Sequence, residues 1–225
     1  MILTRENLQN GRYLASFDDL PGQPRWSPER IRASLQQTLA QRPPGQPVWL
    51  FAYGSLIWNP LFEPVARAPA LLTQWQRRFC MLLLAGRACP IRPGRMLSLD
   101  AGGQCTGMVL QMPERKLEHE LMLVWTREMV YGSYRPIWAP VVLGDGRQLQ
   151  ALVFVADPAQ PQYTAVSDIE TIAPLIARAQ GPLGRNSDYV LQLDATLQRH
   201  DISDPHVHAV AQAVHRVRTS VLSRK

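Results

Sequence analysis

The spacing of apolar residues changes twice along the chain, and each change marks a different kind of element. Between two loops rich in Pro, Gly and Gln, Leu20–Arg25 and Gln41–Pro47, the residues Ile31, Leu35 and Leu39 recur every four positions. Ser27 precedes them as a helix cap and Pro28 as a first helical residue, which predicts an amphipathic helix. From Val48 the pattern turns to short apolar runs. Val48–Tyr53 is one, halted by Gly54 as a buried strand would be. Further strands are predicted over Leu71–Leu84, Arg95–Leu99, Thr106–Met112, Arg135–Val142 and Leu149–Val155, with turns at Pro90–Gly94 and Asp100–Gly103.

Helical spacing returns at Pro113 and Glu114, which open a helix striped by Leu117, Leu121, Val124 and Trp125. It dominates the last third. Ser167 and Glu170 have capping-box spacing ahead of Ile172, Leu175 and Ile176, with Pro174 predicting a kink. Asn186 is expected to cap a helix through Leu197. Asp204 and Pro205 open another, with Val207, Val210, Val214, Val217 and Val221 on its core face. Strands first and helices last predict an α+β fold around a small, mixed, barrel-like sheet with flanking helices. The expected organisation is an N-terminal helical extension over residues 1–47, a main domain over 48–200 and a C-terminal helix over 201–225.

Composition narrows the function. The chain has 225 residues, a net charge of +6 and 46% apolar residues, as in a soluble globular protein. No apolar run is long enough to span a bilayer. The opening Met1–Asn7 stretch lacks the apolar core and cleavage site of a signal peptide, so a cytoplasmic protein is expected. Cys80, Cys89 and Cys105 form no C-x-x-C pair, which argues for reduced thiols and against zinc. His200, His206, His208 and His215 match no familiar zinc spacing and are expected at the surface. The basic balance favours an anionic partner, but no run of five basic residues marks a nucleic-acid groove. A small acidic metabolite fits the charge as well.

Three segments carry candidate chemistry. Tyr53-Gly54-Ser55-Leu56 follows the first strand, where successive backbone N–H groups can form a nest for a carboxylate or an oxyanion. An ordinary strand-ending turn has the same pattern. Glu128 continues the apolar stripe of its helix, four residues after Val124 and three after Trp125. A carboxylate there would be desolvated beside the negative end of a helix, and its pKa raised towards the range of a general acid–base. An ion pair with Arg127 or Arg135, or simple exposure at the helix end, would also account for it. Gly181-Pro-Leu-Gly184-Arg-Asn186-Ser-Asp-Tyr189 places two glycines before a helix, as an anion site or as a plain connector.

Taken in order, these segments resemble the ChaC family of γ-glutamylcyclotransferases. The resemblance is carried by Val48–Pro60, Pro93–Leu99, Arg127-Glu128 with Gly132-Ser-Tyr134, and Gly181–Tyr189. It implies a small mixed β-barrel with flanking helices and the cleavage of glutathione to 5-oxoproline and cysteinylglycine, without metal or nucleotide. By position it implies that Tyr53, Gly54, Ser55 and Leu56 bind the γ-glutamyl group, that Glu128 is the acid–base and that Tyr189 lines the pocket. Arg95 and Arg127 are candidates to offset the substrate's carboxylates. Other γ-glutamyl compounds as substrates, and a non-catalytic cradle for an acidic ligand, are the alternatives.

Overall fold

The structure is a computed structural model that describes residues 3–20 and 22–222, the side chains of the last two excepted. Pro21 in the first predicted loop, the side chain of Val221 and the ends of the chain lie outside the described residues.

In chain order the elements are helices α1 (Arg5–Gln9), α2 (Arg12–Ala15) and α3 (Pro28–Leu39), then strands β1 (Trp49–Ala52), β2 (Arg67–Leu83) and β3 (Gly94–Gln111). A 3₁₀ turn at Glu114–Lys116 leads into α4 (Leu117–Glu128), followed by β4 (Tyr134–Leu143) and β5 (Gln148–Ala156). The chain ends in α5 (Ile169–Arg178), a short hairpin of β6 (Gln180–Gly181) and β7 (Gly184–Arg185), α6 (Asn186–Arg199) and α7 (Pro205–Leu222). None of the described helices is long and apolar enough to cross a membrane.

By packing, these residues form two units. The first comprises the described residues up to Gln76 together with Leu99–Pro161; the second comprises Arg77–Ser98 and the described residues from Gln162 on. The strands of the first unit, with the parts of β2 and β3 that lie in it, pair in the closed-barrel order β1-β3-β2-β4-β5. Here β1 lies antiparallel to β3 (Leu50 opposite Leu110) and parallel to β5 (Leu50 opposite Leu152). A strand paired on both edges and apolar on both faces is fully buried, and Leu50, Phe51 and Ala52 are. This fixes where Tyr53 leaves the sheet.

In the same unit α4 carries the predicted stripe, with Leu121, Val124 and Trp125 buried. The Trp125 ring meets Phe154 of β5 edge-on at 4.9 Å, and its indole N–H donates to Ser34 of α3. The fork of Arg5 clasps buried Glu120, tying α1 to α4.

In the second unit α5, α6 and α7 pack together through Ile172, Ile176, Val190, Leu193, Val207, Val210 and Val214. Buried Arg77 pairs with Asp204 at 3.0 Å, and Asp204 caps α7 by accepting from the Val207 N–H.

The predicted elements form, with four corrections. Arg95–Leu99 and Thr106–Met112 are one strand. The Asp100–Gly103 stretch does not turn the chain back; Gly102 (φ 98°) and Gly103 (φ 65°) take left-handed conformations inside β3, a local bend of the kind glycine permits. Asp168, not Ser167, caps α5 and accepts from the Thr171 N–H, while Ser167 is buried and accepts from Arg78. Asn186 is the first residue of α6 rather than its cap, and its side-chain Oδ1 accepts from the Arg95 N–H at 2.9 Å. His206 is not a surface histidine but lies partly buried against Phe79, ring centroids 6.0 Å apart.

A Cβ added to Gly181 would lie 2.4 Å from the carbonyl oxygen of Gly86 and 2.5 Å from that of Ala88. Gly181→Ala should therefore lower stability by about 1–3 kcal/mol, measured by chemical denaturation. An unchanged midpoint would mean that this contact yields without cost.

Candidate functional site

The first unit brings two of the sequence-predicted segments together through one side chain. After β1 the chain tightens at once: the Ile57 N–H donates to the Gly54 carbonyl at 3.0 Å and the Asn59 N–H to the Ser55 carbonyl at 2.9 Å. Tyr53, Gly54 and Leu56 are buried and Ser55 is half-buried. The Arg127 guanidinium, from the last turn of α4, donates to Ser55 Oγ at 2.5 Å and to the Asn59 carbonyl at 2.6 Å. Its third nitrogen, Nε, lies 3.0 Å from Glu128 Oε1.

The arrangement places a fixed positive charge between a loop and a carboxylate. Arg127 is only 5% exposed in its side chain and Glu128 17%. Burial pushes the Glu128 carboxyl above its ordinary value, and the adjacent Arg127 opposes that push without cancelling it. The position of Glu128 at the last residue of α4, where helix carbonyls point outward, acts in the same direction as burial. The remaining exposure gives a ligand access to the carboxylate. Such a group can take a proton from an amine and hold it out of bulk water.

Tyr53, Gly54, Ser55, Leu56 and Glu128 thus belong to one unit, in which Arg127 links Ser55 of the loop to Glu128. Tyr189 belongs to the second unit, buried on α6, and so does Arg95, buried at the start of β3. Asn59 entered the sequence argument only as part of the Val48–Pro60 stretch, with no role of its own. Its backbone carbonyl does the work, and only its place in the turn that follows Ser55 could have pointed to it. Arg127 was legible as a partner of Glu128 but not as the brace of the loop. In the Gly181–Tyr189 segment, Gly181 gives room to the chain's own carbonyls of Gly86 and Ala88, and Gly184 turns the β6–β7 hairpin at φ 101°. These two glycines serve as a connector. Among the described residues, no three His, Cys, Asp or Glu side chains gather as metal ligands.

Known proteins share both the sequence and the fold. Residues 48–217 match the family model described as ChaC-like protein. A glutathione-specific gamma-glutamylcyclotransferase of Escherichia coli (strain K12) is 42% identical over 96% of this chain and 94% of its own length. The human glutathione-specific gamma-glutamylcyclotransferase 1 is 30% identical over 75% of this chain and 79% of its own length. In fold, a yeast gamma-glutamylcyclotransferase specific to glutathione superposes with a TM-score of 0.71, covering 77% of this chain and 98% of the yeast one at 20% identity.

A carboxyl whose pKa is raised by folding contributes stability below its unfolded value, about 4.3, and that contribution is lost as pH rises through the native value. The melting temperature of the wild type, relative to Glu128→Gln, should therefore fall as pH rises from about 4 to neutral. A difference independent of pH would show that folding leaves the titration of Glu128 unchanged.

Proposed function

Because the chain belongs to the ChaC-like family, we propose that it is a glutathione-specific γ-glutamylcyclotransferase in which Glu128 is the acid–base. One observation carries the assignment of Glu128: a single buried guanidinium, that of Arg127, joins this carboxylate to the Tyr53–Leu56 loop. The loop and the acid–base of a compact reaction are thereby held as one piece.

The chemistry asks for little more. Glutathione carries its own nucleophile, the α-amine of its glutamyl residue, and ring closure onto the γ-carbonyl carbon is intramolecular. The protein's main task is to hold the near-attack geometry. Glu128 takes a proton from the α-ammonium, and the freed amine attacks the γ-carbonyl. The carbonyl oxygen becomes an oxyanion, received by backbone N–H groups of the Gly54–Leu56 turn. The attacking nitrogen gives up its second proton as the bond to the cysteine nitrogen breaks. Both protons end on that nitrogen, relayed one at a time by Glu128, and cysteinylglycine leaves as an ammonium ion. 5-Oxoproline remains. No electron pair leaves the substrate's own atoms, so the reaction has no need of a redox carrier.

Arg127 braces this arrangement, one N–H of each terminal nitrogen going to the loop and Nε facing Glu128. Tyr189 is retained as a pocket residue from its place in the family motif.

Glu128→Gln keeps the shape of the side chain and removes its proton-accepting group. Formation of 5-oxoproline should fall by roughly two to four orders of magnitude, while glutathione still binds by calorimetry and the fold is kept. A folded variant with near-normal turnover would remove Glu128 from the mechanism. Substrate choice is tested separately. kcat/KM should be far higher for glutathione than for γ-glutamyl-alanine, and equal values would point to γ-glutamyl compounds in general.

A further inference from the structure

The chain leaves α4 one residue after Glu128, and the N-terminal segment holds the exit. Backbone carbonyls in a buried stretch need hydrogen-bond donors. Here the Trp26 N–H donates to the Val130 carbonyl at 2.8 Å, and the buried side-chain amide of Gln23 donates to the Tyr131 carbonyl at 3.2 Å. The contact runs both ways, since the Tyr131 hydroxyl donates to the Asp18 carbonyl at 2.8 Å and its ring meets Phe17 edge-on. The Trp26 indole then covers Gly132. At φ 64°, a Cβ on Gly132 would lie 2.0 Å from Cζ2 of the indole, so ring and glycine are fitted to each other. Met129, Val130 and Tyr131 are all buried.

We propose that Trp26 and Gln23 are positioning residues that fix the exit of α4 and so hold the Glu128 carboxylate on the Arg127–Ser55 brace during turnover. The inference rests on the acid–base reading of Glu128. A loop that begins one residue after a catalytic carboxylate governs both its placement and its contact with water. Displacement of about 1 Å is enough to cost a large factor in rate. The segment precedes residues 48–217, the part of the chain that matches the family, so it is an addition to the common module. Of the charged groups around it, the Arg30 guanidinium stacks on the Trp26 ring, 4.2 Å from its centroid. Arg127 faces Glu128; the Tyr131 phenol, pushed up to about 12 chiefly by burial, stays protonated, with Asp18, Asp19 and Arg25 near it.

The test uses the full chain and glutathione, with kcat and KM measured across roughly pH 5 to 9. Trp26→Ala removes the ring over Gly132, Trp26→Phe keeps an aromatic cover, and Gln23→Met removes the amide donor at similar size. Trp26→Ala and Gln23→Met should lower kcat roughly ten- to a hundredfold with KM little changed. Their acid limb should move to lower pH, because a looser exit admits water to Glu128 and relaxes its raised pKa. Trp26→Phe should recover most of the loss. Folded variants that keep both kcat and the acid limb, or that raise KM alone, would overturn the inference. If Trp26→Ala does not fold, Gln23→Met decides; if neither folds, the segment is a folding element only and the inference fails. Turnover of glutathione by the wild type separates these outcomes from failure of the proposed function itself.

Discussion

The Arg127 guanidinium donates to Ser55 and the Asn59 carbonyl and forms an ion pair with Glu128, and the arrangement of the site follows from that division. A buried guanidinium is costly unless its fork is satisfied, and a buried carboxylate is costly unless it is paired. Each group resolves the other's problem. The loop acceptors add direction, since two hydrogen bonds and an ion pair to a planar group leave little freedom to the loop or to the helix end. Burial still outweighs the attraction in the titration of Glu128, which is pushed upward although a cation sits 3.0 Å away. A carboxylate that is both paired and reluctant to ionise is suited to passing a proton rather than keeping it.

The elements around this pair are placed to keep it so. β1 is paired on both edges, so the loop that follows starts from a fixed point. α4 is anchored along its length by Arg5 on Glu120, by Trp125 against Phe154 and Ser34, and past its end by the Trp26 and Gln23 donors. Glu128, the proposed acid–base, therefore sits at the end of a well-held helix, where the helix dipole also disfavours its charge.

Much of this was legible in the chain's patterning. A six-residue apolar run before Gly54 gave β1, and the interruption of the α4 stripe by a carboxylate singled out Glu128. The misreadings have physical reasons. Gly102 and Gly103 carry turn chemistry, yet β3 runs on through them, because a left-handed glycine can bend a strand without ending it. Ser167 and Asn186 have the side chains of caps, but each is drawn instead to a distant partner, Arg78 and the Arg95 N–H. No local rule foresees such competition. The brace through Arg127 was hidden for the same reason: its acceptors lie about seventy positions away in sequence, one of them a backbone carbonyl that carries no sequence signal.

The most direct measurement is the titration of Glu128 itself, by carbon NMR of the protein with labelled glutamate carboxyls. The resonance belonging to Glu128 is the one missing from the spectrum of Glu128→Gln. The account predicts that it titrates above the other glutamates of the chain, and that its midpoint coincides with the acid limb of kcat/KM for glutathione. A midpoint in or below the ordinary carboxylate range, or an acid limb that does not follow it, would contradict the claim that this carboxyl carries the proton.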